Sequence, residues 1–353
     1  MGHLQRSCRW GRQTRAYFLS HRTEASVPLH DSVIAKALPR PAGESLWRHQ
    51  VAPFLQLSKV KLSSLVLLTT MSGYGMACSY YGVAPSASVF ASTVAGTALS
   101  AFSANSFNQW LEAPLDAQMT RTRNRPLPRL ALTPFAAFHW ALGTGACGVA
   151  VLALGTGSAA AAAVSLSTIL LYAGVYTPLK RISPVNTAVG ALVGALPPLI
   201  GWFACAPASS ASSLAPFVLP ALLFAWQYPH FNALSCRLGA DYARAGYRMQ
   251  AVLDAHRNRL TGMLGAAALL PWTWLAVQCG VVDWGFLLTA GTVNGWFFVE
   301  AARFYRDRHR SRPLFFASLA HLPAVLGLLF YHRHRAQRPL DSTAAAAPQA
   351  TCT

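Results

Sequence analysis

Residues 86–129 read SASVFASTVAGTALSAFSANSFNQWLEAPLDAQMTRTRNRPLPR. The first part is an uncharged run of small and apolar residues long enough to cross a bilayer, and charge enters only at its end. Asn108, Glu112 and Asp116 follow there at four-residue intervals. In a helix that spacing drifts by only about 40° per step, so one face presents all three oxygen-bearing side chains. Arg121, Arg123, Arg125 and Arg129 come directly after. A hard-cation site therefore stands beside an anion site at the mouth of an apolar segment. Between Leu62 and Tyr331 the acids are only Glu112, Asp116, Asp241, Asp254, Asp283, Glu300 and Asp307, and two of these seven share the one face. An unpaired carboxylate near hydrocarbon is costly, so two in register point to function.

The alternation of apolar run and charged edge recurs along the chain. Of 353 residues, 53% are hydrophobic and 11% charged, against about 25% charged in soluble domains. Nine apolar stretches lie at about 61–80, 86–107, 133–154, 158–178, 185–205, 214–235, 261–281, 284–302 and 313–331. Each is close to the ~20 residues that a helix needs to span a bilayer. Their wealth of Ala, Gly and Ser, as in Ala159–Ala163, suits close helix packing in lipid. The fold expected is all-α: a polytopic membrane bundle of nine helices, over residues 55–332.

The net charge of +18 does not read as a nucleic-acid surface, because the basic residues alternate with the spans. Loops after the second, fourth, sixth and eighth stretches hold Arg121 to Arg129, Lys180 and Arg181, Arg237 to Arg259, and Arg303 to Arg312. The opposite loops, near Tyr81, Gly155, Ala206 and Val282, have neither Lys nor Arg. By the positive-inside rule the basic face is cytoplasmic, or faces the matrix in a mitochondrion. Arg333, Arg335 and Arg338 break the pattern by falling on the far side.

Residues 1–50 differ in kind. Arg6, Arg9, Arg12, Arg15 and Arg22 accompany a single acid, Glu24, in the first thirty positions, with no apolar core behind them. This is the composition of a mitochondrial transit peptide, the alternative being a basic arm lying on anionic lipid. Together with the alternating charge it places the protein in the mitochondrial inner membrane with its basic loops in the matrix. Residues 333–353 read as a disordered tail. The seven cysteines are scattered singly without a CxxC and read as small packing residues.

The basic loops hold the chemistry. Glu112 and Asp116 can offer oxygens to Mg²⁺, which takes few carboxylates and fills its other positions with waters and phosphate oxygens. Guanidinium forks hold phosphate and stabilise charge growing on a leaving group, although arginines here also enforce topology. A second constellation, YTPLKRISPVN at 176–186, fixes Lys180 and Arg181 at a membrane-edge corner before Pro184. A third, WQYPHFNALSCRLGADYARAGYRM at 226–249, carries Trp226, His230 and Asn232, then Asp241 and Arg244. Asp241 supplies a second acid on the same face, so two acidic loops could hold a metal diphosphate between them. There is no GxxxxGK[ST], HExxH, CxxCH or GxSxG. A carrier remains an alternative, but it would show internal repeats and mid-span acids, whereas these acids lie at one edge.

These motifs resemble the UbiA-type membrane prenyltransferases. Asn108, Glu112, Asp116, Met119, Arg121, Thr122, Arg125 and Pro126 match the first loop of that family. YTPLKR with GALVGALPPLIGW at 190–202 is a second match, and WQYPHFNAL with DYARAGY at 241–247 a third, similar to the heme-prenylating branch. Glu112 stands where bacterial relatives commonly have Asp, and Ala240 where many members carry a second acid, which bears on the number of magnesium ions held. The resemblance implies a nine-helix UbiA-type bundle around a central cavity. It also implies Mg²⁺ as cofactor, farnesyl diphosphate and heme B as substrates, and heme O as product, passed on to a downstream heme-modifying enzyme. Under it, Asn108, Glu112, Asp116 and Asp241 are catalytic, with Glu112, Asp116 and Asp241 as metal ligands. Arg121, Arg125, Lys180, Arg181 and Arg244 bind diphosphate. His230, His321, Asn232 and Trp226 contact heme, His230 being the first choice for an iron ligand and His321 the second, with His139 the remaining nearby histidine. Prenylation of another aromatic or tetrapyrrole acceptor is the alternative within the enzyme class, and a heme or isoprenoid carrier the alternative outside it.

Overall fold

A computed structural model describes residues 47–206 and 213–336. The basic arm up to residue 46, with the targeting reading placed on it, lies outside the described residues, as does the chain from 337 onward. Nine long helices stand among the described residues: α1 Val60–Tyr80, α2 Ala87–Asp116, α3 Pro134–Thr156, α4 Ala159–Leu179, α5 Asn186–Cys205, α6 Val218–Arg237, α7 Ala255–Gln278, α8 Gly285–Arg306 and α9 Ser311–Ala336. α2, α3, α4, α5, α7 and the segment Arg308–Arg333 are long and apolar enough to cross a membrane. α1, α6 and α8 intersperse more polar residues, among them Ser63, Gln227 and Glu300. In hydrocarbon such groups must be satisfied internally. Thr70 and Ser72 bond back to carbonyls of their own helix, and Thr93 does the same in α2.

Caps and breaks explain the boundaries. Thr133 accepts the Ala136 N–H at 3.1 Å with Pro134 in the first turn, Ser158 caps α4, and Asp254 accepts the Arg257 N–H at 2.8 Å to start α7. Gly157 takes φ 67° between α3 and α4, where a side chain would be strained. Pro197 and Pro198 interrupt α5 after Leu196, and α4 loosens into a π-helical turn at Leu171–Tyr176. α2 runs on past its expected end near 107 to Asp116, because loops on the polar face cover its last turns. The acid face is therefore helical throughout.

Consecutive helices pack together, α5 also packs on α1, α9 on α6, and α9 returns to α1, so the bundle closes on itself. Arg333, which strayed from the charge pattern, donates to the Gly75 carbonyl at 2.7 Å and lies over the Phe330 ring. Its cation fastens α9 to α1 and takes no part in the basic face. His332 secures α9 in the same region, through Asp283 at 2.7 Å and Thr289 at 2.9 Å.

The α1–α5 contact is the tightest geometrically. A Cβ built on Gly201 would overlap the Thr70 carbonyl oxygen, and one on Gly73 would overlap the Pro198 carbonyl oxygen. Small residues let helix backbones approach this closely in lipid. Gly201→Ala is expected to destabilise the protein by about 1–3 kcal/mol through forced separation of the two helices. A fall in detergent melting temperature, absent for the control Gly143→Ala where a Cβ meets nothing within 4 Å, checks this.

Candidate active site

The last three turns of α2 form a polar ledge. Asn105, Asn108, Gln109, Glu112 and Asp116 are all buried there. Two of the five fix the ledge. Asn105 donates to Ser63 Oγ at 3.1 Å, and Gln109 donates to the Leu57 carbonyl at 2.7 Å, so both grip the chain that leads into α1. The other three are the i, i+4, i+8 set, and each faces a different cation. Lys59 Nζ lies 2.8 Å from Asn108 Oδ1, Lys180 Nζ 2.7 Å from Glu112 Oε1, and Arg125 Nη1 2.6 Å from Asp116 Oδ2. Each carboxylate thus keeps a second oxygen outside these ion pairs. Asn108 spends its amide on Thr177 Oγ1 at 3.1 Å, and Thr177 follows the π-helical turn of α4. The Thr122 hydroxyl donates to the Asp116 carbonyl at 3.0 Å, folding the arginine loop back so that Arg125 reaches the acid.

Lys59 lies outside the three sequence constellations. Its backbone sits in the left-handed region at φ 47°, an uncommon conformation for a non-glycine residue. That turn separates the short helix Ala52–Leu57 from α1 and aims the side chain at the ledge. Burial, with the Arg125 guanidinium beside it, pulls the Lys59 ammonium down to about 7. Burial would lower Lys180 too, but the Glu112 carboxylate overrides it and holds that ammonium well above its ordinary value. Lys180 also lies 4.5 Å over the Tyr176 ring, a cation–π contact. Burial and the Glu112 charge push the Tyr247 phenol well up, so it stays a neutral, buried donor beside Glu112.

The loop carrying Asp241 packs on this ledge. Leu115 and Met119 form one apolar cluster with Tyr242, Ala245, Tyr247 and Met249. Arg248 N–H donates to the Lys180 carbonyl at 2.7 Å, tying the second constellation to the third. Arg244 bridges Thr120 at 3.0 Å and Asp241 at 3.3 Å. The three loops picked out in the sequence thus meet at one end of the bundle. Asp241 does not complete a carboxylate trio with Glu112 and Asp116: among the described residues no three His, Cys, Asp or Glu side chains gather to hold a metal. It stands in the first turn of a short helix, Gly239–Arg244, and its salt bridge is to Arg244. Arg121 is exposed on the loop and Arg181 half-buried, and neither shares the ion pairs of the ledge.

Trp226 and His230 occupy one face of α6, turned to α9. The imidazole is stacked between Trp226 at 4.6 Å and Phe315 at 5.0 Å. Ser318 Oγ donates to the Phe315 carbonyl at 2.6 Å, so it accepts from His230 Nδ1 at 2.7 Å. Nδ1 then carries the proton, and Nε2 keeps its lone pair with no hydrogen bond among the described residues. His321 is placed differently. It is fully buried between α8 and α9, stacked on Phe297 at 4.2 Å, with Nε2 on Asn294 Oδ1 at 2.7 Å. The Asn294 amide is committed to the Leu269 carbonyl, so His321 Nε2 donates and its lone pair lies on the enclosed Nδ1. Asn232 clasps α6 to α7 through Asn258 O at 2.7 Å and Thr261 Oγ1 at 2.9 Å. His139 is exposed on α3 and bonds only to its own helix.

Residues 66–322 match the UbiA prenyltransferase family. A Homo sapiens relative, "Protoheme IX farnesyltransferase, mitochondrial", is 41% identical over 276 residues, which cover 78% of this chain and 60% of that protein. The chain thus spans about 60% of the length of that relative. Among solved structures, a digeranylgeranylglyceryl phosphate synthase superposes with TM-score 0.68 at 10% identity, covering 80% of this chain and 98% of that one. A UbiA homologue from Archaeoglobus fulgidus, solved with DMAPP and Mg²⁺, superposes with TM-score 0.53 at 11% identity, covering 79% and 99%. The two structures share the fold with this chain.

Proposed function

Since this chain belongs to the UbiA prenyltransferase family, we propose that it transfers the farnesyl group of farnesyl diphosphate to a vinyl group of heme B, water adding to give heme O. The observation that carries this reading is the ledge of Asn108, Glu112 and Asp116, each opposed by a cation, at the charged end of a membrane bundle. The mitochondrial farnesyltransferase relative supports the acceptor and the compartment. In the inner membrane, the alternation of basic and charge-free loops supports an orientation with the ledge on the matrix side.

The donor set fits magnesium. Glu112 and Asp116 are hard oxygen ligands on one helix face, each with an oxygen outside its ion pair, and Asp241 lies on the loop packed against them. Bound there with the diphosphate, the ion supplies Lewis-acid neutralisation of the leaving group. The chain's own residues do the rest. Lys59, Lys180 and Arg125 are three cations that exchange their present partners for diphosphate oxygens and gather negative charge as the allylic C–O bond breaks. Arg121, Arg181 and Arg244, set further out, draw the anion in. The new C–C bond forms between the farnesyl C1 and the vinyl carbon. The resulting heme-side cation takes a water oxygen and loses a proton, leaving a hydroxyethylfarnesyl group. Phe231, which packs on the apolar cluster of Leu115, Met119 and Tyr247 beside the ledge, shields the allylic cation from stray water until that bond forms, with Trp226 and Tyr228 the further aromatic residues of α6. His230, with its Nε2 lone pair open, is the axial contact for the heme iron in preference to the enclosed His321.

Membranes holding the protein, supplied with heme B, farnesyl diphosphate and Mg²⁺, are expected to yield a more hydrophobic heme by chromatography, and none after chelation. Heme movement without a new product would favour the carrier reading instead. Prenylation of a different acceptor but not of heme would transfer the reading to that acceptor.

A further inference from the structure

At the end of the bundle away from the ledge, Cys78 Sγ of α1 and Cys205 Sγ of α5 lie 2.7 Å apart. Two unbonded sulfurs rest at about twice the sulfur radius, well beyond that separation, whereas a disulfide closes to about 2.05 Å. The pair is also too close to share a metal: ~2.3 Å zinc–thiolate bonds at tetrahedral angles would set the sulfurs nearly 4 Å apart. The approach is imposed by the fold. One helical turn before Cys205, Gly201 presses on the Thr70 carbonyl oxygen, and Gly73 admits the Pro198 carbonyl about one and a half turns before Cys78. Thr70 Oγ1 donates to the Pro197 carbonyl at 3.1 Å along the same seam. The backbones therefore hold α1 and α5 close enough for the two side chains to meet. α1 ends at Tyr80 and α5 at Cys205, and the sequence just beyond each, near Tyr81 and Ala206, holds neither Lys nor Arg.

We propose that Cys78 and Cys205 form a disulfide that locks α1 to α5 at this end. The inference stands apart from the prenyl-transfer reading and uses only the packing of the two helices and the side of the membrane on which they end. By the charge rule that side is the one opposite the matrix, where thiols meet a more oxidising environment. Cys205 is half-buried and Cys78 buried, so Cys205 is the sulfur that an external disulfide reaches. The Cys205 thiolate attacks a thiol–disulfide oxidoreductase or glutathione disulfide, releasing one thiol and leaving a mixed disulfide. The Cys78 thiolate, already in contact, then attacks the Cys205 sulfur and releases the second thiol. Two protein thiols are oxidised and one external disulfide is reduced to two thiols, so the electrons balance.

α1 begins directly after Lys59 and α5 shortly after Lys180. The cross-link therefore fastens the far ends of the helices that flank the ledge. The Sγ atoms are 127 residues apart in sequence, so closing that loop removes considerable freedom from the unfolded chain.

The test uses the full chain in its membrane. Thiols are blocked with N-ethylmaleimide at once on lysis, the protein is then reduced and labelled with a mass-tagged maleimide, and unreduced digests are searched by mass spectrometry for the cross-linked peptides. Wild type is expected to show two thiols that label only after reduction, carried on one Cys78–Cys205 peptide pair. C78S and C205S should each abolish that protection. Reduction should lower the detergent melting temperature of wild type by on the order of 5 °C and leave C78S unchanged. Cys78 and Cys205 both blocked in the first step, even after exposure to excess glutathione disulfide, would overturn the proposal.

Discussion

Asp116→Asn is expected to cut heme O formation on the order of 10³-fold or more while the protein still accumulates in the membrane. The amide keeps the size and shape of the carboxylate, so the helix and its packing should survive. What changes is charge. In the wild type, Lys180 and Arg125 pair with the two carboxylates while Lys59 meets the Asn108 amide, and the substitution leaves Arg125 without its carboxylate and Glu112 the one acid of the ledge. If Asp116 merely paired with Arg125, the variant would bind an anionic donor as well as before, or more tightly, and would lose little rate. If Asp116 holds magnesium against the diphosphate, extra positive charge cannot replace it, because the amide oxygen is a weak ligand for a hard cation. The measurement is product at saturating farnesyl diphosphate across a magnesium titration. A fallen kcat with a rightward shift in the magnesium dependence is expected. Normal turnover at ordinary magnesium would refute the metal assignment.

The contrast between acids and cations also marks how far the sequence could be read. Nine long helices and their order follow from hydropathy, and the face on which the loops gather from charge alternation, because each helix is a local property of some twenty consecutive residues, although only six segments among the described residues are apolar enough to cross a membrane by themselves. The i, i+4, i+8 set on α2 was equally legible, since one helix face is fixed by spacing. The partners of that face were not. Lys180 and Arg125 were placed at the site by their motifs, but which acid each one meets depends on how two loops fold back on α2. Lys59 carries no motif at all. It reaches Asn108 only because the chain turns left-handed between the short helix Ala52–Leu57 and α1. The histidines show the same limit. Sequence ranked His230 over His321 by motif, whereas the preference on physical grounds comes from which ring nitrogen each neighbour occupies, and that depends on Ser318 and Asn294 in other helices. Cys78 and Cys205 read as isolated packing residues because nothing in the chain between them signals their contact.

Lys59 offers the second large effect. Lys59→Met should lower kcat/KM for farnesyl diphosphate by about 10²-fold, the usual cost of removing one charged contact to a developing anion. Lys59→Arg should recover much of it, because the position needs a cation, and a merely structural lysine at a span edge would tolerate Met with little change. The pH dependence adds an independent readout. With the ammonium drawn down to about 7, the free site holds Lys59 protonated below that pH and neutral above it. Diphosphate favours the protonated form. Below about pH 7 the donor meets a site already charged, and its affinity through Lys59 does not vary. Above it each binding event must also take up a proton, so the apparent Kd should rise with pH, by up to about tenfold per unit. An arginine stays charged across the range, so Lys59→Arg should flatten this rise between pH 7 and 8.5. Diphosphate binding to the two proteins, measured in buffers of different ionisation enthalpy, separates the cases: proton uptake above pH 7 in wild type and none in the arginine variant. Equal proton uptake in both would assign the titration to another group and leave Lys59 a fixed charge.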